Sequence, residues 1–105
     1  MKPLAQFAFL SALVMCSPLS FAETCTQNNN TLNGLVGLDG SNTIYASISS
    51  SSNECSCTSV RFLETNADTK IALSILLAAK MANKKVRIDL LDKTNCNTGY
   101  RVFVQ

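Results

Sequence analysis

The chain has 105 residues, a formal net charge of +2, no histidine and no tryptophan, and 47% apolar residues. That describes one small domain with a modest core. The near-neutral charge offers no basic field for nucleic acid, and the missing imidazole removes the commonest metal ligand and the commonest general base.

The first 25 residues read MKPLAQFAFLSALVMCSPLSFAETC. Lys2 is a short positive lead, residues 4–15 are an apolar run, and Ser20-Phe21-Ala22 puts small residues where a signal peptidase cuts. Residues 1–22 are therefore expected to be a secretory signal peptide, with cleavage after Ala22 and export to the periplasm or beyond a bacterial cell. The apolar run falls short of the roughly 20 residues that a membrane span needs. A lipid anchor on Cys16 is disfavoured, because Leu13-Val14-Met15 lacks the small residue expected just ahead of it. Residues 23–105 are then a single domain with 8 basic residues against 7 acidic ones.

Residues 23–33, ETCTQNNNTLN, read as a polar entry segment, and residues 34–38 as a short strand followed by an Asp39-Gly40-Ser41-Asn42 turn. Residues 43–49 alternate cleanly, with Ile44, Ala46 and Ile48 opposite Tyr45, Ser47 and Ser49, as a strand with one buried face does. A serine-rich loop, residues 49–53, leads to a third strand over residues 55–63. There Thr58, Val60 and Phe62 are placed opposite Cys55, Cys57, Ser59 and Arg61.

Thr65-Asn66-Ala67-Asp68 fits a capping box before the one helical segment, residues 68–83. Ile71, Ala72, Ile75, Ala78, Ala79 and Ala82 form its apolar face, with Lys70, Ser74, Lys80 and Lys84 on the opposite side and Asn83 as the stop. Leu73, Leu77 and Met81 run at i, i+4, i+8 through that wet side. A contiguous second stripe asks for another covering surface, most simply a neighbouring subunit.

Residues 86–91 form a fourth strand, with Val86, Ile88 and Leu90 opposite Arg87 and Asp89, and residues 92–99 form a turn. A fifth strand over residues 100–105 sets Tyr100, Val102 and Val104 against Arg101 and Phe103. Strand, strand, strand, helix, strand, strand predicts a mainly β domain with one helix, a small OB-fold-like Greek-key barrel. An open meander of such short strands would leave two bare edges.

Cys25, Cys55, Cys57 and Cys96 remain after signal removal, an even number in an oxidising compartment. They predict two disulfides, one anchoring the N-terminal segment through Cys25 and one tying the third strand to the last hairpin through Cys96. Which of Cys55 and Cys57 serves which bond is left open. Cys-x-Cys with two distant partners lacks the paired spacing of a zinc site, so no metal and no cofactor is expected. No nucleophile has a histidine base and no carboxylate pair has a fixed spacing, so an enzyme is not expected either. Asp89 and Asp92 read as solvated acids at the end of the fourth strand.

The run LSILLAAKMANKKVRIDLL, a helix followed at once by a strand, resembles the B subunits of bacterial AB-type toxins, nearest the subtilase-cytotoxin and typhoid-toxin type. Lys85-Val86-Arg87-Ile88 matches that family's "VRI" strand entry. Val36-Gly37-Leu38-Asp39 and Ser56-Cys57-Thr58-Ser59-Val60 sit where it has its early hairpin and its cysteine-bearing strand. The resemblance implies a homopentamer with helices around a pore, a catalytic A subunit docked by its tail into that pore, and a face that binds host-surface glycans. Leu73, Leu77 and Met81 would then pack between subunits, and Lys70, Lys80 and Lys84 would face the pore or its rim. The family's Tyr-Tyr-Ser sugar-binding segment is replaced here by Gln27-Asn28-Asn29-Asn30-Thr31. A glycan face in this chain is expected instead from Asn28, Asn30, Tyr45, Ser47 and Arg61.

Overall fold

The computed structural model describes residues 23–51 and 54–105. The expected signal peptide with its cleavage point, Cys16, and the last two residues of the serine-rich loop lie outside the described residues. Among the described residues five strands and one helix follow in the order β1 (Cys25–Leu38), β2 (Ile44–Ser49), β3 (Ser59–Phe62), α1 (Thr69–Met81), β4 (Val86–Leu90) and β5 (Gly99–Val104). The strands close into a barrel, β1-β2-β3-β5-β4, in which only β3 and β5 are parallel. The fold is mainly β with one helix, a small OB-fold-like barrel with two disulfides.

Closure depends on β1 being far longer than its composition suggests. The expected polar entry segment is in fact the first half of a 14-residue strand. Residues 25–30 pair with β4 and residues 31–38 with β2, so one strand joins both sides of the barrel. Asparagine is a poor strand former, and the asparagines sit where the ladder is irregular. The register shifts between Gln27 and Asn30, and Asn29 takes a left-handed φ of 56°.

Two of these polar residues serve as internal connectors. The Gln27 amide donates to Asn30 Oδ1 (2.7 Å) and to the Cys57 carbonyl (3.3 Å), and its Oε1 accepts from the Cys55 and Cys57 backbone N–H groups. The Asn30 amide donates to the carbonyls of Gln27 (2.7 Å) and Val86 (2.9 Å). Fully satisfied, such buried polar groups stabilise a unique arrangement instead of penalising it.

The Gln27 contacts explain why β3 is only four residues long. Cys55 to Thr58 are irregular instead of extended, with Ser56 at φ 56°, and both cysteines are buried, not on the outer face expected from strand alternation. The disulfides are Cys25–Cys55 and Cys57–Cys96, spanning 30 and 39 residues. Loop-closure entropy gives each bond about 3.5–4 kcal/mol. Both fit an oxidising compartment outside the cytoplasm. No helix among the described residues is long and apolar enough to cross a membrane.

The barrel interior holds Ile44, Ala46, Ile48, Val60, Phe62, Val86, Ile88 and Leu90, as the alternation of β2 and β4 requires. β3 and β5 meet at a single pair, Phe62 with Gly99. A Cβ on Gly99 would lie 2.8 Å from side-chain carbons of Phe62 and Val60, so only glycine permits this approach.

The helix starts later than the capping box suggested. Asp68, not Thr65, is the N-cap, its carboxylate accepting from Ile71 N at 3.2 Å, because residues 63–67 are occupied by a turn onto the Leu63 carbonyl. Its end is a Schellman motif: Lys84 N bonds Ala79 O, Asn83 N bonds Lys80 O, and Asn83 sits at φ 57°. The buried face is Thr69, Ala72, Leu76 and Ala79. That rotates the helix from the expected orientation, leaving Ile71, Ala78 and Ala82 exposed and making Leu76 the central plug. The two alanines let the helix lie close to the barrel.

Candidate binding site

Three adjacent strands place Gly37, Tyr45 and Arg61 in one row on the outer face of the barrel. Arg61 lies over the Tyr45 ring, its Cζ 5.0 Å from the centroid. Its Nε donates to Asp39 Oδ2 at 2.6 Å and its Nη1 to Asn97 Oδ1 at 3.3 Å, while its backbone N–H donates to the Cys96 carbonyl. The guanidinium is thus held by the β1–β2 turn, the β4–β5 loop and a ring on β2. The Cys57–Cys96 bond fastens that loop beside β3. Being half-exposed, the Arg61–Asp39 pair contributes at most about 1 kcal/mol to stability. Its consequence is a cation fixed in position.

Beside this row lies an open groove of about 400 Å³, lined by Leu35, Val36, Gly37, Leu38, Asp39, Tyr45 and Arg61. Leu35 is 77% exposed and Leu38 67%, which is a large apolar exposure for so small a barrel. Polar groups with fixed geometry, one aromatic ring and two bare leucines converge here. The arrangement can hold a small polar ligand with an apolar face.

Of the residues expected at the site, Tyr45 and Arg61 are brought together. Ser47 shares their outward register but lies beyond the groove, its hydroxyl donating to Asn33 Oδ1 at 3.2 Å. Asn28 lies on the β4-paired half of β1, near Gln105. Asn30 is buried with its side chain fully engaged, so it is corrected to a structural residue. Gly37, Asp39 and Asn97 were missed. The signal for the last two was the OB-like order itself, in which the β1–β2 and β4–β5 loops frame the β2–β3 face.

Asp89 is not the solvated acid expected from its place in β4. Only 1% exposed, it accepts from Arg87 Nε (3.0 Å) and Nη2 (3.1 Å) and from Thr26 Oγ1 (2.9 Å), and it pairs with Arg101 Nε at 3.0 Å. Burial pushes its carboxyl up, but the hydrogen bonds from Arg87 and Thr26 and the charges of both arginines outweigh that and hold it below the usual carboxylate range. The cluster joins β1, β4 and β5 and has the character of a structural tie. Asp92 accepts from the Thr94 hydroxyl and N–H, which lower its pKa and order the β4–β5 loop.

On the helix, Leu73 packs half-buried against its own core, whereas Leu77 is 39% and Met81 87% exposed. Lys70, Lys80 and Lys84 are exposed, and the Lys80 ammonium donates to the Gly34 carbonyl. Compared with family models, curated proteins and solved structures, the chain matches none.

Proposed function

We propose that the chain is an exported, glycan-binding subunit of the toxin-B type that assembles with copies of itself, as a pentamer, through α1. The observation that carries this reading is the Tyr45–Arg61–Asp39 groove on the β2–β3 face of an OB-like barrel. That face, with the loops at its ends, is where such barrels bind oligosaccharides or oligonucleotides. Oligonucleotides are the poorer fit. The net charge is +2, and the one cation lining the groove among the described residues is already paired with a carboxylate, whereas nucleic-acid affinity rests on many unpaired cations.

Assembly is supported by two separate apolar flanks on α1. Leu77 and Met81 are exposed on one side, and Ile71 on the other adjoins an apolar groove with Ile75, Val102 and Phe103. Two unlike patches are what a closed ring of heterologous contacts requires. A catalytic A subunit is the further partner implied by the resemblance, with Lys70 and Lys84 exposed on the same helix. A stand-alone exported module is the second reading, favoured by Leu73, whose packing on its own barrel shortens the stripe.

Light scattering after size exclusion decides between them, and a glycan array with wild type and Tyr45→Ala tests the face. A pentamer that binds glycan and loses binding with Tyr45→Ala is expected. A clean monomer removes the toxin-like assembly, and undiminished binding by Tyr45→Ala removes the site.

A further inference from the structure

The glycan-binding reading leaves the sugar class open, and resting on it we infer that the groove takes an uncharged sugar, seated over Gly37 against Tyr45, with Asp39 as its hydroxyl acceptor. Three observations lead there. The first is charge. Among the described residues Arg61 is the only cation lining the groove, and its guanidinium is held on Asp39 Oδ2 at 2.6 Å, with Asn97 and the Tyr45 ring as its other partners. An acidic sugar would have to displace the Asp39 carboxylate or lie beside it. At this range like charges disfavour binding by about tenfold or more.

The second is space. Gly37 and Arg61 flank Tyr45 from opposite neighbouring strands. Arg61 covers the ring from its side, whereas a Cβ built on Gly37 meets nothing within 4 Å. The strand therefore has bare backbone beside an aromatic ring, bordered by the exposed Leu35 and Leu38. A pyranose has one face of C–H groups that packs on such a ring and its apolar border.

The third is hydrogen bonding. Asp39 Oδ1 makes no bond to the described residues, while Oδ2 is occupied by Arg61. A carboxylate oriented by an arginine presents an ionised, fixed acceptor, the kind of group that takes sugar hydroxyls in charge-assisted bonds. Asp39 is itself held by its backbone N–H on the Thr43 carbonyl at 2.6 Å.

The test uses neutral oligosaccharides and their sialylated and sulfated counterparts on an array, followed by calorimetry with the oxidised protein. Wild type is expected to bind a neutral glycan at least tenfold more tightly than its acidic counterpart. Gly37→Thr, a residue suited to a strand and facing open space, is expected to abolish binding with native mass and circular dichroism unchanged, and Gly37→Ala to weaken it partially. Asp39→Asn is expected to weaken the neutral glycan at least tenfold and to narrow the preference over acidic ones, since it releases the Arg61 charge. Tighter binding of sialylated or sulfated glycans overturns the inference while leaving a glycan-binding protein. Full affinity in Gly37→Thr overturns the seat. Binding to no glycan at all defeats the functional reading as well.

Discussion

Replacing Asp89 by Asn keeps the size of the side chain and removes its charge. The carboxylate accepts from Thr26 and Arg87 and pairs with Arg101 at 2.9–3.1 Å, joining three strands of the closed barrel. Removing one partner of a fully buried charge network costs about 3–5 kcal/mol. Here the arginine side chains are 39% and 52% exposed and rehydrate when the carboxylate is lost, which lowers the expected cost to about 2–3 kcal/mol at pH 7. With a urea slope of about 1 kcal/mol/M for a domain of this size, the unfolding midpoint falls by about 2–3 M. The pH dependence carries the sharper information. The folded carboxyl titrates below its ordinary 3.8, so its stabilisation is complete above that value and is lost as pH falls through the depressed folded value. Wild type therefore weakens steeply below about pH 4, and Asp89→Asn lacks that part of the slope. Urea unfolding of both proteins at pH 7 and pH 3 checks this. Equal acid sensitivity, or a loss under about 1 kcal/mol at pH 7, would refute the tie between β1, β4 and β5.

The disulfides separate stability from binding. Cys57→Ser with Cys96→Ser and Cys25→Ser with Cys55→Ser should each cost about 3.5–4 kcal/mol in chemical denaturation. Only the first pair should also weaken glycan affinity, because Cys96 and Asn97 hold Arg61. Neighbouring helix leucines should behave oppositely. Leu76→Ala, at a fully buried position, should destabilise by about 2–5 kcal/mol in thermal melts, whereas Leu77→Asp should leave the fold intact and give a monomer by light scattering. Gly99→Ala should cost about 1–3 kcal/mol, since its methyl meets Phe62 and Val60 at 2.8 Å.

The elements legible in the sequence were those whose side chains repeat with the period of their backbone. Ile44, Ala46 and Ile48 on β2, and Val86, Ile88 and Leu90 on β4, announce a strand with one buried face, and all six are buried. β1 was hidden for the opposite reason. Its first half is held by tertiary pairing to β4 and by Gln27 and Asn30 bonding backbone groups of residues 55, 57 and 86, and local propensity registers neither. Helix phase was misjudged because alanines score as apolar wherever they lie. Ala78 and Ala82 face solvent, while Ala72 and Ala79 lie under the helix with Leu76 between them.

The site was half legible, and the missing half is informative. Alternation reports which face a residue occupies and nothing about its neighbours in space. Tyr45 and Arg61 were therefore found, since each occupies an outward register on paired strands. Ser47 was grouped with them by the same rule although it lies beyond the groove. Asp39 and Asn97 are 58 positions apart in the numbering, in turns without periodicity, and they share a partner only because the barrel closes. The register of the β1–β2 hairpin turns Gly37 from an ordinary turn-proximal glycine into open space beside the Tyr45 ring. An unpaired arginine on such a face would favour an anion. Once Asp39 is placed on it, the same arginine argues for a neutral ligand, so the sign of the specificity follows from the topology.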